Sequence, residues 1–441
     1  MSTHLPGNGI DDTPVTEADL IDYFHEGAKP VSAWRVGAEF EKIAVARDTG
    51  RQIGFDDGIE RVLHALATHF AWEPHFEAGR LTTLTRGGST ISVEPGGQLE
   101  LSTPPTERLS ELRAELDTHL RELRGVTDPA KVAWIAVGVT PFSPVDAIPL
   151  NPRPRHRLMA EYLPTRSATA LHMMKATAST QVTFDYADEA DAGRKFAVAL
   201  TLGPVVNAMF ANSPMYAGKR TEFVSFRGQI WQGMDPDRSG FLANLLTGQV
   251  SFARWVQHAL DVPLLLLTDG ESLRPAPGVT FREFLNRGID GRFPTRHDWD
   301  VHLSTLFTEA RLKQFLEVRG ADATTAPLAV PALWKGLLYD ADALTAATEL
   351  ARAFKPEELR PLSEAASRFG MRAEHRGKPL TDWCREVVGI ADAGLKRQGE
   401  EIAYLDVLRE AIASSRSPGD LWPTGGGVAE VIGACEYHGL S

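Results

Sequence analysis

The chain has 441 residues, 43% hydrophobic and 24% charged, a composition that excludes disorder as its main state and a length that permits two or three domains. Its net charge of -12 disfavours nucleic acid and anionic membranes as partners, because both are held through a basic footprint. Cys384 and Cys435 are the only cysteines, too few for a disulfide framework or a thiolate metal cage. With no signal peptide and no apolar run of about 18 residues, a cytoplasmic protein is expected.

Residues 1–15 are polar, contain Pro and Gly, and read as a flexible arm. A hydroxyl three residues before an acid, Thr16 and Asp19, predicts a helix start leading into Leu20, Ile21, Tyr23 and Phe24. Trp34–Lys42 then reads as a strand in which Glu39 and Glu41 share one face, with Ala38 and Phe40 on the other. Two carboxylates about 4 Å apart at an effective dielectric near 20 repel by on the order of 4 kcal/mol. A cation or a proton is expected there, unless the strand merely shows a polar face to water.

Ile59, Val62, Leu63 and Leu66 predict a helix over about 57–70, with His64 and His69 as bystanders. In Thr90–Thr103, Pro95-Gly96-Gly97 breaks the pattern before Gln98, Glu100 and Ser102 alternate with Leu99 and Leu101. The glycines let the backbone turn or approach something closely, so Glu94 and Glu100 can aim at one point; the alternative is a surface turn with one exposed acid. Leu109, Leu112, Leu116, Leu120 and Leu123 form the core stripe of an amphipathic helix, and Val132–Val139 is apolar enough for a central strand.

Five prolines across 143–165 exclude a continuous helix, and Arg153, Arg155, His156 and Arg157 make this a basic loop suited to a small anion or simply to solvent. Leu171–Lys175 introduces a strand over Thr177–Tyr186, and Asp188 caps a long helix to about Ala211, bent at Gly203-Pro204. Phe223–Trp231 is predicted as a strand with Ser225, Arg227 and Gln229 on one face; Phe315–Asp322 as another with Glu317 and Arg319 together. Residues 341–415 are helical by pattern, and the tail around Gly425–Gly427 reads as a loop. Phosphate-loop, HExxH, GxSxG and dinucleotide fingerprints are all absent.

Glu39, Glu41, Glu94, Glu100 and Glu317 are hard oxygen ligands, with His172 the one imidazole in the same motifs, a set that favours Mg2+, or Mn2+, over zinc. With Arg155, Arg227 and Arg319 as anion clamps, the chemistry that fits is phosphoryl transfer from a nucleotide onto a small carboxylate or amine. Scattered structural acids and ion pairs are the competing explanation.

The motifs VGAEFEK, ISVEPGGQLELSTPP, HMMKATASTQV, ANSP, SFRGQIW, MDPDRSG, HALDVP and LEVRGAD resemble, in order and spacing, the plant-type glutamate–cysteine ligases found in plants and many bacteria. The resemblance runs from about residue 16 to about 415. It implies an α+β, glutamine-synthetase-like fold: a curved antiparallel sheet with metals and substrates on its concave face and helices packed on its convex side. Residues 16–441 would form a single catalytic domain, mostly helical from about 341. It implies that ATP phosphorylates the side-chain carboxylate of L-glutamate and that the amine of L-cysteine displaces phosphate, giving γ-glutamylcysteine for glutathione or a related thiol.

Carried over residue by residue, the metal-binding acids are Glu39, Glu41, Glu94, Glu100 and Glu317; Arg155, Arg227 and Gln181 bind substrate; Arg227 and Arg319 are catalytic; Glu317 and Arg319 meet ATP. His172 stands where plant members carry Asp, and Leu265 replaces a plant Tyr near the acceptor pocket, so another amine acceptor is the near alternative and a metal-dependent phosphotransferase the distant one. No redox-switched disulfide is expected, and the enzyme would be a monomer or homodimer.

Overall fold

A computed structural model describes residues 13–270, 272–425 and 427–437. Val36–Ala46 forms strand β1, the axis of a nine-stranded sheet. β1 pairs antiparallel with β5 (Leu99–Ser102) on one side and with β7 (Thr180–Phe184) on the other, while its second half pairs with β6 (Val132–Ile135). Beyond β5 follow β4 (Ser89–Val93), β3 (Arg80–Arg86) and β2 (Glu73–Glu77); beyond β7 come the strands Leu316–Val318 and Ala310–Leu312. Every pairing in this sheet is antiparallel, and with the helices around it the class is α+β.

Period-two alternation gives the sheet two unlike faces. Val36, Ala38, Phe40 and Ala44 of β1, Leu99 and Leu101 of β5, and Val182 and Phe184 of β7 belong to the largest apolar core. Helix α3 (Leu109–Val126) lays its predicted leucine stripe into that core, as do Leu63 and Leu66 of α2 (Glu60–Phe70) and the apolar helix Ala329–Leu338. The opposite face of the same strands carries the carboxylates.

Several helix starts follow the expected chemistry. Thr16 and Asp19 form the reciprocal cap of α1 (Glu17–His25), and the Asp188 carboxylate accepts from Asp191 N to open α6 (Glu189–Met209). Three expectations are corrected. The basic loop contains a helix, α4 (Pro154–Tyr162), because Pro154 sits at the first turn, where no backbone donor is needed. Leu171–Lys175 lies in helix α5 (Ala170–Ala176) and leads into β7, inside the predicted 177–186. Phe223–Trp231 is not a strand: Ser225 accepts from Gly228 N and starts helix α7 (Phe226–Gln232), a capping role that outweighs the β-propensity of its aromatics. The tail is more than a loop, since Val428–Cys435 is helical and Tyr437 N donates to Trp134 O of β6. Most of the 1–15 arm lies outside the described residues, but Val15 N donates to Pro294 O.

His119 sits inside the α3 stripe, fully buried, with neither ring nitrogen hydrogen-bonded among the described residues. Burial, with the Lys42 and Arg86 charges adding to it, pushes its pKa well below the ordinary 6.5, so the folded protein holds it neutral. The unfolded chain takes up the proton near pH 6.5, so this stability term is present above that pH and is lost as pH falls below it. His119→Leu removes an unpaired buried polar ring and is expected to stabilise the fold by roughly 1 kcal/mol at neutral pH. In denaturant melts the gap over wild type should widen between pH 6.5 and 5; a gap that narrows there refutes the account.

Candidate active site

The register of the sheet brings the predicted glutamates onto one face. Glu41 lies directly opposite Glu100 across β1 and β5, and Glu39 opposite Ser102 on β5 and Gln181 on β7. Glu39, Glu41, Glu94 and Glu100 are each no more than 8% exposed. Burial pushes all four carboxyls above the ordinary range, and repulsion among them adds to it: Glu100 acts on Glu39 and Glu41, and Glu94 on Glu100. Glu41 is held by Ser179, whose N donates to Oε2 at 2.6 Å, and by Gln181 Nε2 at 3.3 Å. Glu100 accepts from Ser102 Oγ at 2.9 Å.

Glu94 owes its place to the Pro95-Gly96-Gly97 turn. A side chain at Gly96 would collide with the Lys175 backbone of α5, and Gly97 has φ +90, so the turn tolerates a close approach that other residues would block. Gln98 Oε1 accepts from Gly96 N, while its amide donates to Met174 O and Thr177 O, locking turn to helix. Asn151 donates to Glu94 O and brings the 151–157 segment alongside.

At the other end of the row stands a positive wall. Arg311 on Ala310–Leu312 lies opposite Glu317 and grips it with two hydrogen bonds, 2.8 and 2.9 Å, while Arg319 also contacts the Glu317 carboxylate. Burial raises the Glu317 carboxyl, but Arg311, Arg319 and Lys313 outweigh it and hold its pKa far below the usual range. Lys313 is 7% exposed and pushed down to about 7, first by burial and then by Arg311. Arg311, Lys313 and half-buried Glu309, whose carboxylate accepts from Asn207 Nδ2, are site-face residues that the sequence reading missed. The signal was present: 309, 311 and 313 alternate with Ala310 and Leu312 just before the LEVRGAD strand.

Between acid row and positive wall opens a cavity lined by Glu41, Glu94, Gln181, Arg227, Trp231 and Arg319, with Met173, Met174 and Phe307 on its apolar side. Arg227 donates through Nη1 to Gly320 O at 2.7 Å and through Nη2 to Arg319 O at 3.0 Å. Its Nε, Trp231 Nε1 and Gln181 Oε1 are buried and have no partner among the described residues.

Three predicted residues fall elsewhere. His172 is half-buried on α5 beside Tyr216, ring centroids 5.4 Å apart, away from the cavity lining. Leu265 packs in the apolar cluster with Met173, Met174 and Phe307 and does not line the cavity. Arg155 donates to Ser304 Oγ at 2.8 Å and stands outside the lining, although its pKa, pushed down to about 10 by burial and then by Arg153 and Arg311, places it within reach of their charge.

Among the described residues no three acidic or imidazole groups form a ready metal cage. The row still fits a hard divalent cation, because Mg2+ keeps waters and takes one or two carboxylates together with phosphate oxygens. Glu317 fits least well, since both its oxygens already face guanidinium groups.

The family model for glutamate–cysteine ligase family 2 matches residues 35–420. The chain is 35% identical over 413 residues to the chloroplastic glutamate–cysteine ligase of Brassica juncea, covering 92% of this chain and 80% of that one. It is likewise 35% identical to that of Arabidopsis thaliana, over 92% and 79% of the two chains. In fold it is similar to the glutamate–cysteine ligase of Francisella tularensis solved with AMP, TM-score 0.55 at 11% identity over 91% of this chain and 87% of that one. The chloroplastic location of these plant relatives overturns the expectation of a cytoplasmic protein, which rested on the lack of a signal peptide and of a long apolar run. No helix among the described residues is long and apolar enough to cross a membrane. By sequence over nine tenths of its length, the chain belongs to the glutamate–cysteine ligase family.

Proposed function

We propose that this protein joins the side-chain carboxylate of L-glutamate to the amine of L-cysteine at the expense of ATP, passing through a γ-glutamyl phosphate. The observation that carries the reading is the set of three unpartnered buried atoms in the cavity. Arg227 Nε and Trp231 Nε1 are donors fit for a carboxylate, and Gln181 Oε1 is an acceptor fit for an ammonium group, so together they match the α-amino-acid end of L-glutamate, with Arg227 on its carboxylate. A buried polar atom without a partner costs about 1–3 kcal/mol, a cost that a bound amino acid removes.

A carboxylate is a poor acyl donor, so the reaction needs a phosphoryl leaving group. Arg319, oriented by Glu317, and the nearby Lys313 present positive charge where the γ-phosphoryl oxygens would lie. Glu39, Glu41, Glu94 and Glu100 would hold Mg2+, which when bound neutralises charge on the transferring oxygens. Ser179 and Gln181 keep the Glu41 carboxylate turned into the cavity. Met173, Met174 and Phe307 give an apolar, sulfur-rich wall that suits a small thiol side chain on the acceptor.

Glu41→Gln keeps shape and removes one of the crowded charges. It should lower ATP-dependent phosphate release about 100-fold or more while the melting temperature holds or rises; near-normal turnover removes Glu41 from the metal set. With ATP, Mg2+ and L-glutamate supplied, a panel of amino acids followed by mass analysis should give a peptide product fastest with cysteine. Equal rates with alanine defeat the acceptor assignment, and ADP formed together with a phosphorylated substrate and no peptide points to a phosphotransferase.

A further inference from the structure

Asp322 lies outside the cavity lining, yet its side chain is 2% exposed and fully engaged. Its Oδ2 accepts from Asn212 N at 2.8 Å and Ser213 Oγ at 2.7 Å, and its Oδ1 accepts from Ser225 Oγ at 3.1 Å. A hydroxyl has one proton, and each serine gives it to Asp322, so the remaining lone pairs face other donors. Those donors are the first turn of α7: Ser213 Oγ accepts from Arg227 N at 3.1 Å, and Ser225 Oγ from Gly228 N at 3.0 Å. At the far end of the same side chain, Arg227 Nη1 stands 3.8 Å from Asp322 Oδ1 and is tied to the carbonyls of Arg319 and Gly320.

Both ends of Arg227, its backbone and its guanidinium, are therefore fixed by one short segment, 319–322. A side chain at Gly138 would collide with the Asp322 carboxylate, so the surrounding chain leaves room for this group and little else. An amide in its place would set a donor against Asn212 N–H or a serine proton, which breaks the relay at the same size. We infer that Asp322 is a positioning residue for the proposed glutamate-binding Arg227, acting through Ser213, Ser225 and its own charge. The inference rests on the reading of Arg227 given above.

The test is calorimetric binding of L-glutamate to the full chain with Mg2+ and a non-hydrolysable ATP analogue. Asp322→Asn is expected to weaken L-glutamate about tenfold, and Ser225→Ala or Ser213→Ala about threefold, with affinity for the ATP analogue within about twofold of wild type. Arg227→Gln should weaken L-glutamate by about 100-fold, and adding Asp322→Asn to it should cost no more than about twofold further, because the two groups act as a unit. The inference falls if Asp322→Asn binds L-glutamate as wild type while Arg227→Gln does not, or if it costs the same tenfold in both backgrounds. Should Asp322→Asn fail to fold, the serine variants are set against Arg227→Gln by the same criterion, and wild-type affinity in both overturns it. Unchanged affinity in Arg227→Gln alone is a different signature: it removes the reading of Arg227, and this inference with it.

Discussion

Like charge confined out of water is the constraint around which this molecule is built. Glu39, Glu41, Glu94 and Glu100 sit buried on one face of adjoining strands, each disfavouring ionisation of the others. Such an arrangement costs stability in the absence of counter-charge, and the rest of the site supplies or invites it. Arginines and Lys313 gather at one end, while hydroxyl and amide donors from Ser179, Gln181 and Ser102 steady single carboxylates. The apolar opposite face anchors the strands, so the helices behind the sheet set the spacing of the charges in front of it.

Much of this was legible in the residues, and the exceptions have a common cause. Period-two alternation put Glu39 with Glu41 and Glu317 with Arg319; the register sets the first pair on one face, and the Arg319 guanidinium contacts the Glu317 carboxylate in the second. The glycines of 95–97 were read as a point of close approach, which is how they pack against α5. Phe223–Trp231 differs because a short, aromatic-rich segment has too few residues to separate a strand from about two helical turns; the deciding atom is Ser225 Oγ, whose capping role outweighs β-propensity. Pro154 was counted as a breaker when its place at a helix start made it an initiator.

The site residues divide the same way. Charges on strands were recoverable from spacing, because a strand fixes direction as well as order. Those on loops and helices were not: His172 lies beside Tyr216 outside the cavity lining, and Arg155 is held at Ser304 by the fold of the 151–157 segment, while the apolar Leu265 packs in a core cluster. Arg311 and Lys313 precede the LEVRGAD motif, but their alternation with Ala310 and Leu312 carries the same strand signal, with charge at three consecutive alternate positions.

The order of strands across the sheet has a bearing on how the polypeptide comes to be assembled. β1 ends at residue 46, yet one neighbour is β7, near residue 180, and the strand beyond that lies at 316–318; Tyr437 then closes onto β6 from still further away. Pairings of such sequence separation carry a large loop-closure entropy and form late. During translation the acidic strand must therefore wait, with its glutamates in water and harmless, until some 270 further residues have emerged to bring Arg311 and Arg319 beside it. The enclosure that takes those carboxylates out of water is among the last things the nascent chain completes.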